Sequence, residues 1–299
     1  MKLRSRTGGL PAIAVVLVVM AGASCTIDAQ TSSASGSFER TLQVDGPVDL
    51  DVSTGSGSIR VDVGSTSEVR IVGRIRAYDG VVVWSRLSPE DRIKGLIATP
   101  PIEQSGNTVR IGDVGDPELR RHVSISYELV VPPQTRLRSR TGSGDQEVAS
   151  IRGPVDARTG SGDIEIGRIQ GQASATTGSG DIAVLAATGI DARAGSGSVR
   201  AEGITGPVSV RTGSGDITVE GEPSGDWQIR AGSGDVDIRV KQGSSFELDA
   251  RTGSGGVRTD HPIEMSGSVS RNHVKGRVGS GGRRVDVTTG SGSITVANK

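Results

Sequence analysis

Apolar and polar residues alternate along most of the chain in short runs, and the same small-residue turn breaks them each time. Val155, Ala157 and Thr159 alternate with Asp156 and Arg158. Gly160-Ser161-Gly162 follows, and then Ile164 and Ile166 alternate with Asp163 and Glu165. Alternation at period two marks a half-buried strand, so the unit predicts two strands joined at a corner. The turn returns with a beat: Gly142, Gly160, Gly178, Gly195, Gly213, Gly232 and Gly253 open copies at spacings of 18, 18, 17, 18, 19 and 21 residues. Gly279 and Gly290 open two less regular ones. Gly153, Gly171, Gly189, Gly206 and Gly225, spaced 18, 18, 17 and 19, mark a second corner on the same beat. A fixed period near 18 is the signature of a repeat architecture.

The fold class predicted is all-β, a single β-solenoid of parallel-β-helix type with Gly-Ser-Gly(-Asp) corners. A meander gives no reason for every second turn to be chemically identical; stacked rungs do, because each corner meets its own copy above and below. The corner residues expected to form this ladder are Gly142, Gly144 and Asp145; Gly160, Gly162 and Asp163; Gly178, Gly180 and Asp181; Gly213, Gly215 and Asp216; and Gly232, Gly234 and Asp235. Both glycines are expected to supply positive φ, and the serines between them to stack as a hydroxyl ladder. Rungs about 4.8 Å apart would make nine of them a stack roughly 40 Å long.

Two stretches interrupt the beat. Leu42 to Val63 reads as an early rung, with Gly55-Ser56-Gly57 as its corner and a first strand two residues longer, an even insertion that keeps every side chain on its face. From Tyr78 to Pro133 the pattern changes: a short strand at Val81–Trp84, then a helix with Ser88 as N-cap and Pro89 at its first position. Ile93, Leu96 and Ile97 form the helix's apolar face, and Pro100-Pro101 ends it. Strands follow at Thr108–Ile111 and Ser124–Val131. Asp260 to Gly276 reads as a second insertion. The organisation expected is an export segment over 1–25, a flexible tether over 26–39, an N-terminal solenoid part over 40–135 with its insertion at 78–133, and the repeat solenoid over 136–299.

Composition fits a thin β fold. Hydrophobic residues make up 33% and aromatics 2%, too little for a compact core, while 34 basic residues balance 34 acidic ones. That balance argues against disorder, which combines low hydrophobicity with high net charge, and against nucleic acid, whose usual footprint is a basic patch. Lys2, Arg4 and Arg6 precede the apolar run Leu10–Met20 and the small residues Ala21–Ser24, the pattern of an export signal. Cys25, the one cysteine, cannot form an internal disulfide. Ala23-Ser24-Cys25 resembles the end of a lipobox, which makes Cys25 the candidate lipidation site; Gly22 departs from the large aliphatic usual there, and cleavage after Ala23 or Ala29 without lipidation is the alternative.

Thr-Gly-Ser-Gly-Asp-Ile recurs at 159–164, 177–182 and 212–217, preceded by Val131-Pro132 and the Gly106–Ile111 strand. In these motifs the chain resembles the bacterial putative-adhesin family of β-solenoid domains, related to the head-GIN-domain putative auto-transporter adhesins. The resemblance covers roughly residues 40 to 299. It implies an exported envelope protein without known catalysis, and it carries no functional residues over. Gly256 and Gly282 replace the corner Asp in the late copies.

Outward columns are the chain's most distinctive chemistry. Asp145, Asp163, Asp181, Asp216 and Asp235 follow their corners, while Arg140, Arg158, Arg193, Arg211, Arg230 and Arg251 precede theirs by two residues. Like charges 4.8 Å apart repel by about 0.9 kcal/mol even at water's dielectric, so the two columns are expected to pair across the corner. Calcium is disfavoured, since one Asp per rung is thin for an ion that takes six to eight oxygens. Arg136, Arg138 and Arg140 alternate like a solvated strand face. His122, His261 and His273 lack metal-ligand spacing and are expected at the surface, while Trp227 and Phe246 are expected in the packing. No catalytic residue, metal or cofactor is implied. The expected function is that of a non-enzymatic, exported envelope protein, in the periplasm or at the cell surface, presenting an extended face to an envelope or surface component. It would touch a membrane only through a lipid at Cys25. The alternatives are a regulatory or stress-response envelope protein with a protein or peptide partner and, more distantly, an enzyme acting on polysaccharide.

Overall fold

The computed structural model of the chain describes residues 33–78, 87–112, 114–120, 122–265 and 270–299. The segment 1–25 expected to direct export, with Cys25, and the strand expected at Val81–Trp84 lie outside them.

Two long sheets meet along a line of corners. One, the pre-corner sheet, has 13 strands and holds the first strand of every rung; the other, the post-corner sheet, has 12 strands and holds the second. The Gly160 rung is typical: Val155–Ser161, the corner, then Ile164–Arg168. It pairs in parallel with the Gly142 rung on one side and the Gly178 rung on the other, residue for residue, so that Thr159 faces Thr141 and Thr177. The parallel register follows from period-two alternation, because a slip of one residue would turn every inward side chain to solvent. Val155, Ala157, Ile164 and Ile166 are buried, as are their counterparts in each neighbouring rung, and small and β-branched residues fill the narrow interior.

The N-terminal end is built by the interruption. The Gly55 rung stacks directly on the Gly142 rung, although 87 residues separate their corners. Beyond it the pre-corner sheet continues through Thr108–Ile111 and Ile102–Ser105, and the post-corner sheet through Val123–Val131, Glu68–Tyr78 and Ser33–Gln43. The strands described between 102 and 131 therefore extend both sheets beyond the Gly55 rung as a terminal cap. Its helix, Pro89–Ala98, starts as expected: the Ser88 hydroxyl accepts from the Asp91 backbone N–H, and Pro89 sits in the first turn. The tether expected over 26–39 is corrected in its second half, since Ser33–Gln43 is a strand paired antiparallel with Glu68–Tyr78 over its full length. Its small residues serve packing: a Cβ on Gly36 would fall 2.5 Å from Ile93 of the helix.

The C-terminal end departs from chain order. The Gly290 rung, formed by Arg283–Ser291 and Ile294–Asn298, lies between the Gly232 rung and the Gly253 rung. After the Gly232 rung the chain skips one position, builds the Gly253 rung, turns back through the antiparallel strand His273–Val278, and fills the gap it left. Gly279–Gly282 is accordingly a crossover and not a further corner. It passes from one flank of the Phe246–Ser254 strand to the other, with positive φ at Gly279, Gly281 and Gly282.

Ile164 and Ile182 face each other on adjacent rungs and are at most 1% exposed. Ile164→Asp is expected to cost about 4 kcal/mol, because it buries an unpaired charge; urea unfolding measures this. Removing 283–299 is expected to affect both neighbours, since it leaves facing strand edges unpaired. Limited proteolysis should then cut first within 241–282, before any of the earlier rungs.

Candidate functional site

The corner column was the first candidate, and its geometry shows what each residue does. The opening glycines need the space of a missing side chain: a Cβ on Gly160 would stand 2.5 Å from the Gly142 carbonyl oxygen, and one on Gly178 equally close to that of Gly160. The closing glycines add a backbone reason, with φ between 132° and 148° from Gly144 to Gly234, a region other residues resist. Positive φ thus belongs to the second glycine only. The serines are exposed, and their backbone carbonyls do the joining: Gly144 N–H donates to Ser161 O (2.9 Å) and Gly162 N–H to Ser179 O (2.9 Å). The hydroxyl ladder is formed by the threonine ahead of the corner. Thr159 donates to Gly144 O, Thr177 to Gly162 O and Thr212 to Gly197 O, at 2.8 to 3.1 Å.

Each corner Asp has a different partner from the one its charge suggested. Asp145 Oδ1 accepts the backbone N–H of Asp163 (3.0 Å), Asp163 that of Asp181 (2.8 Å) and Asp181 that of Ser198 (2.7 Å). Asp216 does the same for Asp235, and Asp235 for Ser293 on the intercalated rung. The carboxylates cap the next rung's amides in series, a charge-assisted use. Gly256, on the last rung of the stack, has no further rung to cap.

The arginines pair within the pre-corner face instead. Arg158 binds Asp156, two residues back on its own strand, through both Nε and a terminal nitrogen (3.0 and 3.1 Å). Arg193 and Arg251 likewise bind the acid two residues back, Asp191 and Asp249, each through one terminal nitrogen, while Arg140 and Arg136 reach across to Asp51 and Asp49 on the Gly55 rung. Side chains two apart on a strand share a face, which is why this pairing wins over one around a corner. Such exposed pairs contribute little individually; their effect is to neutralise the column.

Other candidates resolve more simply. His261 is buried, edge-on to Phe246 at 5.5 Å, which corrects the expected surface position. His273 is half-buried and contacts Asp249 (3.1 Å). Trp227 and Phe246 are core residues, and Trp227 Nε1 donates to Gly206 O. Burial pushes the Tyr127 phenol well above its ordinary range and keeps it neutral. Among the described residues no three or more His, Cys, Asp or Glu gather to hold a metal ion, and no helix is long and apolar enough to cross a membrane. A cleft of about 690 Å³ opens between the helix and the outer pre-corner strands, with Leu96, Pro101, Ile111 and Leu119 on its walls and Asp51 and Arg110 at its rim.

Two substitutions separate the two accounts of the corner Asp. Asp163→Ala is expected to lose about 1 kcal/mol, and Asp163→Asn to stay near wild type, because an amide oxygen accepts the same bond; an ion pair would be lost in both. Gly160→Ala is expected to cost about 2 kcal/mol, all by urea unfolding.

Comparison with known proteins comes down to the same corners. No curated protein matches the chain significantly in sequence. Solved structures that resemble it include a putative adhesin from Bacteroides fragilis (12% identity, 88% of this chain and 97% of that one, TM-score 0.33). A putative lipid binding protein from Parabacteroides distasonis (10%, 87% and 96%, 0.38) and a putative cell adhesion protein from Clostridium sporogenes (11%, 88% and 100%, 0.27) are similar at the same level. Likeness this distant says nothing about a ligand. The Toastrack DUF4097 model, by contrast, matches residues 134–201 and again 185–297, more than half of the chain and nearly all of its repeated corners. The chain belongs to the Toastrack DUF4097 family.

Proposed function

We propose that the protein is a non-enzymatic, exported envelope protein that uses the outer face of its solenoid for binding or adhesion. The observation that carries this reading is the pre-corner face itself. Over nine rungs, from Gly55 to Gly253, outward side chains stand in register-locked columns on a parallel sheet. Such a surface meets a partner through many weak, repeated contacts, so that affinity grows with the number of rungs engaged. The export signal at the N-terminus and the candidate lipid site at Cys25 would place this face outside the cytoplasm.

A second reading, an envelope regulator that binds a protein or peptide, draws on the cleft beside the helix. Its apolar walls and charged rim suit a short amphipathic segment. Pull-down with the mature chain separates the two. Saturable retention of cell-wall or whole-cell material is the result expected. Capture of one specific protein, lost on Arg110→Glu at the exposed rim of the cleft, would favour the second reading. Glycan turnover abolished by changing one acid pair would overturn both.

A further inference from the structure

The arginine column follows a rule, and two adjacent rungs break it. Arg140, Arg158, Arg193 and Arg251 each hold a carboxylate on the pre-corner face. On the Gly213 and Gly232 rungs the acid position two residues before the arginine is taken by Ser209 and Gln228. Arg211 and Arg230 therefore stand directly opposite each other without a carboxylate between them. Arg211 donates to Gln228 Oε1 (2.9 Å), and Arg230 makes no side-chain hydrogen bond or ion pair among the described residues. The nearest acids by register are Asp191, already bound to Arg193, and Asp286, diagonal to Arg230 and forming no ion pair with it. Like charges directly opposite on neighbouring strands are destabilising, and both of these side chains are exposed.

We infer that Arg211 and Arg230, with Ser209 and Gln228, form a binding site for a phosphoryl oxyanion carried on a polymer or a lipid headgroup. The arrangement favours this group over a carboxylate. One arginine fork already uses both oxygens of a carboxylate, as Arg158 does with Asp156. Two forks on strands about 4.8 Å apart suit a group that offers three oxygens to separate donors. The surroundings also donate. Gln228 Oε1 accepts from Arg211, its side-chain N–H groups make no hydrogen bond among the described residues, and Ser209 stands directly opposite Gln228, two residues before Arg211 on the same face. Arg193 extends the row by one rung.

The inference rests on reading the pre-corner face as a binding surface, and it names the chemistry of that surface's partner. It is tested on the full chain by titration with short-chain inorganic polyphosphate, and with phosphatidylglycerol against phosphatidylcholine vesicles, at two salt concentrations. Saturable, salt-sensitive binding is expected, weakened at least tenfold in Arg211→Gln/Arg230→Gln. Ser209→Asp/Gln228→Asp, which restores the acids found on other rungs, should weaken it equally while leaving the melting temperature no lower. Arg140→Gln/Arg158→Gln removes the same charge from already paired positions and should bind as wild type. Preference for polyphosphate points to a free or polymeric source, and preference for the anionic vesicles to a lipid headgroup. Absence of binding to both, or equal loss in the control pair, overturns the site. If that happens while the pull-down still retains cell-wall material, only the oxyanion assignment fails.

Discussion

Everything in this molecule depends on the close approach of one corner's backbone to the next. A carbonyl oxygen of each rung occupies the space where the opening glycine of its neighbour would carry a side chain. That contact fixes the rung spacing, and with it the parallel register of both sheets. Up to three hydrogen bonds per step then hold it: closing-glycine N–H to serine carbonyl, threonine hydroxyl to glycine carbonyl except where Ala194 and Ala231 stand in its place, and the following amide N–H to the aspartate, for which Ser198 substitutes once. Parallel strands need every buried polar group satisfied along their length, and the corner, where the ladder would otherwise open, is where this chain spends its polar side chains.

Much of this was legible in the residues. Alternation gave the inward set, from Val155 to Ile166, and the glycine beat gave both corners. What could not be read was which partner a repeated side chain chooses. Asp163 carries the same charge whether it faces an arginine or an amide; only the rung geometry shows the amide to be nearer. The place of the last rung was hidden for a related reason. Rungs with the same inward pattern can stack on one another in any order, so self-similarity removes the information that would fix sequence order. Gly256 was the one signal, an acceptor missing where no rung follows. Ser33–Gln43 was hidden differently: a run of small polar residues reads as a tether, and its strand exists because the Glu68–Tyr78 edge and the helix are there to receive it. The polar pair Ser139 and Gln146 was also invisible in advance, buried where aliphatics prevail and joined to each other and to the Arg158 carbonyl.

The division between scaffold and surface follows from the same repetition. A position that repeats without change is answering to its copies above and below. A position that changes between otherwise equal rungs is free of that demand. By this measure the corners are construction, and the outward columns of the pre-corner face carry whatever distinguishes this member of its family from a bare stack.

The filling of the gap by Arg283–Asn298 sets a limit on the stack's growth. A repeat protein is ordinarily lengthened by adding units after its last one. Here the last rung in sequence is enclosed on both sides, and on the pre-corner sheet the outermost rung is followed by the antiparallel strands His273–Val278 and Ile263–Met265. Chain added beyond Lys299 would leave from the flank of the stack rather than from its tip. A copy of the Arg283–Asn298 rung placed directly after it in sequence would find both neighbouring strand edges already paired.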